Sequence, residues 1–169
     1  MTLYRAPLLD LTRAGVRFVV IGGVAAGLHG SARVTFDLDV CYDPSAANRE
    51  RLAAVLAAWK AYLRGADPGL PFVLDARALA TSHVLTLSTA VMGDIDVMDS
   101  VAGVGEFAAV LAASAELDVG EGLRCPVLGL PALIRAKRAA RRRKDMDQLP
   151  ELEALLELRE KGEGRGPSG

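Results

Sequence analysis

Two aspartates, Asp37 and Asp39, lie in the alternating segment Asp37–Tyr42, which has the pattern of a β-strand. Because strand side chains alternate between faces, the two carboxylates project from one side, while Leu38 and Val40 point into the core. Two carboxylates held this close repel each other unless they share a cation or a proton. Rigidly held oxygen ligands suit Mg²⁺, so the pair predicts a metal site, with an acidic edge strand as the alternative.

A third acid is expected from the segment Asp94–Met98, which alternates in the same way and offers Asp94 and Asp96 on one face. Asp96 is the preferred candidate because Ile95 and Val97 flank it and place it inside the strand, and Asp94 is its competitor. Three acids can hold two ions, one activating an attacking oxygen and one steadying a leaving group. The expected cofactor is Mg²⁺, as one ion or two, with Mn²⁺ as a substitute.

A glycine pair, Gly22-Gly23, follows the apolar run Arg17–Ile21, and residues Val24–Leu28 after it are expected to begin a helix. The missing side chains would let backbone amides approach a phosphate, and a helix start favours anions. A glycine pair by itself is more often only a tight turn, so its spacing from the acids matters more.

The segment Arg135–Lys144 contains seven basic residues and no acid. Helical spacing predicts that Lys137, Arg141 and Lys144 share one face. A solvated helix face is the ordinary explanation of such a run, and contact with a triphosphate or RNA is the functional one. The sequence leaves both open.

Gly22-Gly23, thirteen intervening residues and Asp37-Leu38-Asp39 resemble the DNA polymerase beta-like nucleotidyltransferase superfamily. That pattern is an apolar strand, Gly followed by Gly or Ser, about a dozen residues, and acid-apolar-acid. Within the superfamily, the chain is similar to small bacterial enzymes of the AbiEii-like toxin group and related uncharacterised nucleotidyltransferases. This narrower similarity also rests on His29-Gly30, Arg33 and Thr35.

The resemblance spans about Phe18 to Leu156, and its later blocks are looser than the first. They are Gly93-Asp-Ile-Asp-Val, Gly103-Val-Gly105, Leu133-Ile-Arg-Ala-Lys137 and Arg143-Lys-Asp-Met-Asp147.

The resemblance implies a nucleotidyltransferase fold and an activity of the EC 2.7.7 type. Such an enzyme moves a nucleoside monophosphate from a triphosphate such as ATP to an acceptor hydroxyl and releases pyrophosphate. Asp37 and Asp39 would bind both ions, and Asp96 would bind the catalytic one and draw the hydroxyl proton. Gly22 and Gly23 would cradle the phosphates.

Three further residues are nucleotide-binding candidates. Lys137 is the best single phosphate ligand, since the resemblance places a lysine there and a point charge suits a phosphate. Arg33 and Thr35 flank the strand entry and could touch phosphate or base, although Arg33 could equally pair with an acid at the sheet edge. His29 is expected to be structural. Asp145 and Asp147 are expected to cap the last helix or to pair with nearby arginines, and no catalytic role is expected for them.

The acceptor is not encoded in these residues. The resemblance allows tRNA ends, another protein or a small molecule such as an antibiotic, and the basic segment ranks RNA first, with a toxin-like role and a cognate antitoxin as partner. The alternative is a non-catalytic nucleotide- or RNA-binding module, such as an antitoxin-like partner.

Composition limits the remaining function classes. A chain of 169 residues fits one domain with a real core, and a net charge of -1 argues against a uniformly basic nucleic-acid binder. The apolar stretches are too short for a membrane, and no secretory signal is evident, so we expect a cytoplasmic protein without membrane contact. Cys41 and Cys125 are expected to be buried thiols.

Hydrophobic periodicity predicts an α/β or α+β domain over residues 1–161, with a mixed sheet flanked by helices, helices at its C-terminal end and a disordered tail at 162–169. The expected strands are Arg17–Ile21, Asp37–Tyr42, Phe72–Leu74, His83–Ser88, Asp94–Met98 and Arg124–Leu128, with the fourth and fifth as a hairpin. The expected helices are Leu3–Ala14, Val24–Leu28, Pro44 to about Arg64, Val104–Leu117, Leu130–Arg142 and Asp147–Lys161.

Overall fold

Helices and strands alternate along residues 4–163, the part of the chain that the structure, a computed structural model, describes. The helices are α1 Arg5–Arg13, α2 Gly22–Leu28, α3 Ala46–Ala58, α4 Ala76–Thr81, α5 Phe107–Ala112, α6 Leu130–Ala140, α7 Arg143–Met146 and α8 Leu149–Glu163. The strands are β1 Phe18–Ile21, β2 Asp37–Tyr42, β3 Tyr62–Leu63, β4 Val84–Ser88, β5 Asp94–Met98, β6 Ser100–Val101, β7 Gly105–Glu106, β8 Ser114–Asp118 and β9 Arg124–Leu128.

Seven of these strands form one mixed sheet in the order β3-β4-β5-β2-β1-β9-β8. The β2–β5 and β1–β9 pairs are parallel and the other pairs are antiparallel. The predicted mixed sheet with helices at the C-terminal end is therefore confirmed, and so is the β4–β5 hairpin. The parallel β2–β5 pair matters most, because it places two acid-bearing strands side by side.

Aliphatic side chains from the central strands and the helices form one core. All four residues of β1 are buried, and Leu38 and Val40 of β2 are buried as the alternation predicts. Cys41 and Cys125 are free, buried thiols, also as predicted. Within residues 4–163, no helix combines the length and apolar character needed to cross a bilayer.

The helix predicted from Pro44 to Arg64 is shorter than expected. It ends at Ala58, because Lys60 adopts a left-handed backbone with φ 53°, which a right-handed helix cannot continue through. The next residues pair as β3 with β4. As a result, Arg64 follows a strand at the edge of the sheet instead of lying in a helix. This position brings its side chain to the acids of β5.

The strand predicted at Phe72–Leu74 is wrong, and the short helix α4 that follows was not predicted. Phe72 and Val73 are exposed and outside any strand pairing among the described residues, so these apolar side chains do not pack within a sheet. Asp75 begins α4 by accepting a hydrogen bond of 2.9 Å from the backbone N–H of Ala78.

The helix predicted over Val104–Leu117 is wrong for most of its length. Only Phe107–Ala112 is helical, while Gly105–Glu106 and Ser114–Asp118 are strands. The latter strand pairs with β9 along its whole length. Tertiary pairing has here outweighed the helical preference of an alanine- and leucine-rich segment.

The C-terminal helices also differ from the prediction. The first, α6, ends at Ala140, because Arg141 is left-handed with φ 53°, and the short α7 separates it from α8. The last helix extends to Glu163, two residues into the predicted tail, and the rest of that tail lies outside the described residues.

Candidate active site

The parallel register of β2 and β5 sets the predicted acids beside each other. Asp37 is the partner of Asp94 and Asp39 is the partner of Asp96. One carboxylate oxygen from each of Asp37, Asp39 and Asp96 lies within 4.8 Å of the others. The convergence predicted from spacing is therefore present, and the geometry includes Asp96 rather than Asp94 in the trio.

Thr35 holds the first of these carboxylates. Its hydroxyl donates a hydrogen bond of 2.8 Å to Oδ1 of Asp37. Thr35 thus orients an acid of the trio, and its predicted contact with a nucleotide stays a prediction. Because a threonine hydroxyl has one proton, this contact leaves Oδ2 of Asp37 available to a cation.

The glycine pair is required by the residues that face it. A Cβ at Gly22 would lie 1.9 Å from Oδ2 of Asp39, and a Cβ at Gly23 would lie 2.7 Å from Cβ of Thr35. Gly22 also has φ +63°, which only glycine adopts without strain. The spacing of thirteen residues thus has a physical basis, since the pair makes room for Asp39 and for the threonine beside the acids.

The carboxyl group of Asp39 has a strongly raised pKa. Its burial, followed by the charges of Asp37 and Asp96, raises the pKa of its carboxyl from 3.8 to about 7. A hydrogen bond from the backbone of Gly23 and the charge of Lys144 oppose this rise. The carboxylates are therefore crowded more than the nearby positive charges compensate.

Arg64 is a part of the site that the sequence analysis missed. Its Nε lies 3.0 Å from Oδ2 of Asp94, and its Nη2 donates a hydrogen bond of 2.9 Å to Oδ1 of Asp96. Burial raises the pKa of Asp96, and the ion pair with Arg64 limits the rise. No local pattern marks Arg64, because it follows β3, a two-residue strand hidden at the end of a predicted helix.

Asp94, the competitor for third acid, is thus tied to Arg64 and lines the cavity beside the trio instead of joining it. Asp94 lies two residues before Asp96 on β5, which explains why both acids face the same side.

Lys137 is buried and paired with a buried acid, Asp145. Its Nζ lies 3.0 Å from Oδ1 of Asp145, and Nε of Arg142 lies 2.6 Å from Oδ2 of the same carboxylate. Burial alone would raise the pKa of Asp145, but the hydrogen bonds from Arg142 and Lys137 outweigh it and hold the pKa below its usual value. Asp145 therefore pairs with an arginine, as predicted. Its second partner, Lys137, also lines a cavity beside the acids.

The predicted basic face of one helix does not exist. Lys137 is in α6, Arg141 ends that helix in a left-handed conformation, and Lys144 lies in α7. The break in the helix turns the segment back toward the sheet. Lys144 and Arg142 consequently line the same cavity as the acids, while Arg141 does not.

The loop of residues 31–36 forms a wall of this cavity and is fastened to α8. Both Ser31 and Ala32 donate hydrogen bonds to the carboxylate of Glu151, at 2.9 and 2.7 Å. Arg33 donates to the backbone carbonyls of Lys144 and Asp147, at 3.3 and 3.0 Å. Arg33 therefore contacts carbonyls rather than a sheet-edge acid, and its role in binding a nucleotide stays a prediction.

His29 has the structural role that was predicted. Its Nε2 lies 2.8 Å from the carbonyl of Leu128, and its Nδ1 lies 3.0 Å from Nη1 of Arg159. Burial lowers the pKa of the imidazole. The ring therefore ties α2 to β9 and α8.

Two cavities meet at the acids. The first, of about 410 Å³, lies beside Asp37 and is lined by four cations and four carboxylates, and for its cations we call it the basic cavity. The second, of about 330 Å³, lies beside Asp96 between the sheet and α6, and we call it the apolar cavity. Both are lined by Gly22, Asp39, Lys137, Arg142 and Asp145. Two cavities with different linings thus share a wall that includes Asp39 of the trio.

A scan against protein-family models and a search of curated proteins gave no match. Among solved structures, the chain is similar to the crystal structure of a "putative nucleotidyltransferase" from Thermotoga maritima, with a TM-score of 0.48 and 15% sequence identity. The alignment covers 95% of this chain and 91% of that one. A likeness of this degree identifies neither a substrate nor a reaction.

Proposed function

We propose that this protein is a magnesium-dependent nucleotidyltransferase. The observation that carries the proposal is the trio of Asp37, Asp39 and Asp96 on two parallel strands, at the junction of a basic cavity and an apolar one. A transfer between two substrates needs two binding spaces that meet at the reacting atoms. The single domain predicted over residues 1–161 would carry the whole site.

The donor set of the trio fits Mg²⁺, and Mn²⁺ as its substitute. Oxygen ligands alone are the set that Mg²⁺ prefers, and it commonly takes one or two carboxylates and completes its shell with substrate phosphates. Burial, and after it the charges of Asp37 and Asp96, raise the pKa of Asp39, and a divalent cation bound to the trio would stabilise its ionised form. When bound, such an ion would polarise the α-phosphate and favour ionisation of the attacking hydroxyl.

The basic cavity is the proposed site of the nucleoside triphosphate. Lys144, Arg142 and Arg33 line it, and Lys137 lies at its floor beside Asp145. The polyphosphate is expected to lie along Gly22-Gly23, where the chain has no side chains to exclude it. Lys137 and Arg142 are paired with Asp145, so Arg33 and Lys144, which have no acidic partner among the described residues, would offset the repulsion between the phosphate oxygens and the acids.

The proposed reaction is displacement at the α-phosphorus. The acceptor oxygen forms a bond to that phosphorus, the bond to the bridging oxygen of the pyrophosphate breaks, and the pyrophosphate leaves with that electron pair. Asp96 accepts the hydroxyl proton, and its pKa, raised by burial, favours that role. Thr35 keeps Asp37 in a fixed orientation throughout.

The acceptor and the biological context stay predictions. An RNA or tRNA acceptor, a toxin-like role with a cognate antitoxin, and a cytoplasmic location rest on the sequence alone. The separation of Lys137, Arg141 and Lys144 onto different elements weakens the basis on which RNA was ranked first.

The test is transfer of label from α-³²P-labelled ATP, GTP, CTP and UTP to total RNA, tRNA or a panel of small hydroxyl compounds, with Mg²⁺. Asp37→Asn and Asp96→Asn are expected to abolish transfer while the fold is retained, as judged by circular dichroism. Asp94→Asn is the matched control, since it removes a carboxylate from the same face but outside the trio, and it should keep measurable transfer.

Full transfer by Asp37→Asn or Asp96→Asn would remove that residue from the mechanism. Binding of ATP and Mg²⁺ in a calorimeter, without transfer to any acceptor tried, would support the non-catalytic alternative instead.

A further inference from the structure

We infer that the apolar cavity binds the acceptor, and that this acceptor is a compact, largely apolar alcohol rather than a polynucleotide. The inference rests on the proposed nucleotidyl transfer and names the second substrate class of the same site. Its support is the position, lining, charge and size of this cavity.

The apolar cavity continues from the acidic face of the sheet. On the neighbouring strand β4, Thr86 is the register partner of Asp96, and Val84 is the partner of Met98. Because alternate residues share a face, Thr86 and Val84 stand on the same side as the acids. A molecule lying along β4 and β5 therefore has one end at the carboxylate of Asp96.

The far end of the cavity is hydrophobic on both walls. The sheet side contributes Val84 and Met98, and the helix side contributes Leu133 and Ala136 of α6. The side chain of Val84 is accessible, with the residue 53% exposed, although it lies on a strand of the main sheet. A hydrophobic ligand placed there would remove this apolar surface from water, which favours its binding.

The charges around the cavity disfavour a nucleic acid. Its acids are Asp39, Asp96 and Asp145, and its cations are Lys137 and Arg142, both already paired with Asp145. A polynucleotide brings a phosphate with every residue and needs unpaired cations for it. A neutral alcohol brings no such charge, and its hydroxyl can donate to Asp96.

The size of the cavity limits the ligand further. A volume of about 330 Å³ is near the lower end of the range of small-molecule sites, roughly 300–1,000 Å³. It accommodates a single ring or a short branched chain. The expected transfer joins the alcohol oxygen to the α-phosphorus, releases pyrophosphate and leaves the alcohol proton on Asp96.

The test uses 4-fluorobenzyl alcohol as the probe and ¹⁹F NMR titration of the full chain in Mg²⁺ and a non-hydrolysable ATP analogue. The wild type is expected to bind the probe saturably, with a Kd on the order of 1 mM. Ala136→Phe fills the apolar cavity and should weaken this binding at least tenfold. Ala57→Phe is the matched control, because it makes the same replacement at an exposed position of α3 that lines neither cavity, and it should change probe binding less than twofold.

A second variant, Val84→Lys, should change the binding affinity for the two kinds of acceptor in opposite directions. A lysine at this exposed position is expected to weaken binding of the alcohol and to strengthen binding of a ten-nucleotide single-stranded RNA. Circular dichroism of both variants checks the fold, and since Val84 is exposed, its replacement should leave stability nearly unchanged.

The inference is overturned if the probe does not saturate, if Ala136→Phe folds and binds it as the wild type does, or if the RNA oligomer displaces it and is itself excluded by Ala136→Phe. These results would leave the proposed transferase standing, provided that the wild type binds the ATP analogue with Mg²⁺. Failure to bind the analogue, with saturable binding of the alcohol, would instead refute the nucleotidyltransferase and retain the cavity as a ligand site.

Discussion

Replacement of Asp39 by asparagine tests whether the acids are crowded because a cation belongs among them. The substitution keeps the shape of the side chain and removes its charge. In the folded chain the pKa of Asp39 is about 7, against 3.8 for an ordinary aspartate, chiefly because the carboxyl is buried and secondly because Asp37 and Asp96 are close. In the absence of metal, the ionised carboxylate therefore opposes folding.

The size and sign of this effect follow from proton linkage. Between pH 3.8 and pH 7 the folded chain binds more protons at Asp39 than the unfolded chain, so the free energy of unfolding falls as pH rises through this window. A gap of about 3 pH units, at about 1.36 kcal/mol per unit, corresponds to a destabilisation on the order of 4 kcal/mol above pH 7. At pH 5 the same relation gives only about 1.5 kcal/mol.

The assay is urea unfolding with EDTA at pH 5 and pH 8. Between these values the wild type should lose about 2.5 kcal/mol more stability than Asp39→Asn. At pH 8 the variant should be the more stable protein. Asp118→Asn, which removes an exposed carboxylate from β8, is the matched control and should follow the wild type.

Addition of Mn²⁺ or Mg²⁺ should reduce this difference in stability at pH 8. The ion binds the ionised trio of the wild type and raises its free energy of unfolding by about 2.7 kcal/mol at one hundred times its Kd, and the variant should gain much less. Equal pH dependence in wild type and Asp39→Asn, or equal stabilisation of both by metal, would refute the reasoning about this site.

Three further substitutions have expected outcomes. Arg64→Ala should strengthen Mn²⁺ binding about tenfold in calorimetry, since it removes a cation that competes for Asp96; unchanged or weaker binding would contradict this competition. Gly22→Ala should lose more than about 2 kcal/mol in urea unfolding, because its Cβ would overlap Asp39 and its φ of +63° is unfavourable for alanine; near-wild-type stability would show that the backbone adjusts freely. Asp145→Asn should lose about 3 kcal/mol at pH 7, since a buried ammonium is left without its counter-charge; unchanged stability would contradict this role of the ion pair.

The acid trio could be predicted from the sequence because the residue patterns that define it lie within single strands. Alternation within β2 and within β5 fixes which carboxylates share a face. The prediction that the two strands adjoin rested on resemblance and on the general tendency of such acids to converge. The parallel register then placed Asp39 beside Asp96 without any further adjustment.

The parts that failed depend on contacts between distant segments. The alanine-rich segment at 104–117 is locally a good helix, and only its pairing with β9 turns residues 114–118 into a strand. Arg64 reaches the acids because β3 pairs with β4. The basic face failed for another reason, since a single left-handed residue, Arg141, ended the helix where periodicity would have continued it.

The attachment of the loop at 31–36 to α8 has a consequence for how the protein is made. A ribosome that has completed β5 has already synthesised all three aspartates. The wall beside them is still loose at that stage, because Glu151, which holds Ser31 and Ala32, has yet to be added. The nascent chain thus passes through a stage in which its three acids are present and the basic cavity is open. The proposed binding of a nucleotide should therefore become possible only when the final helix docks.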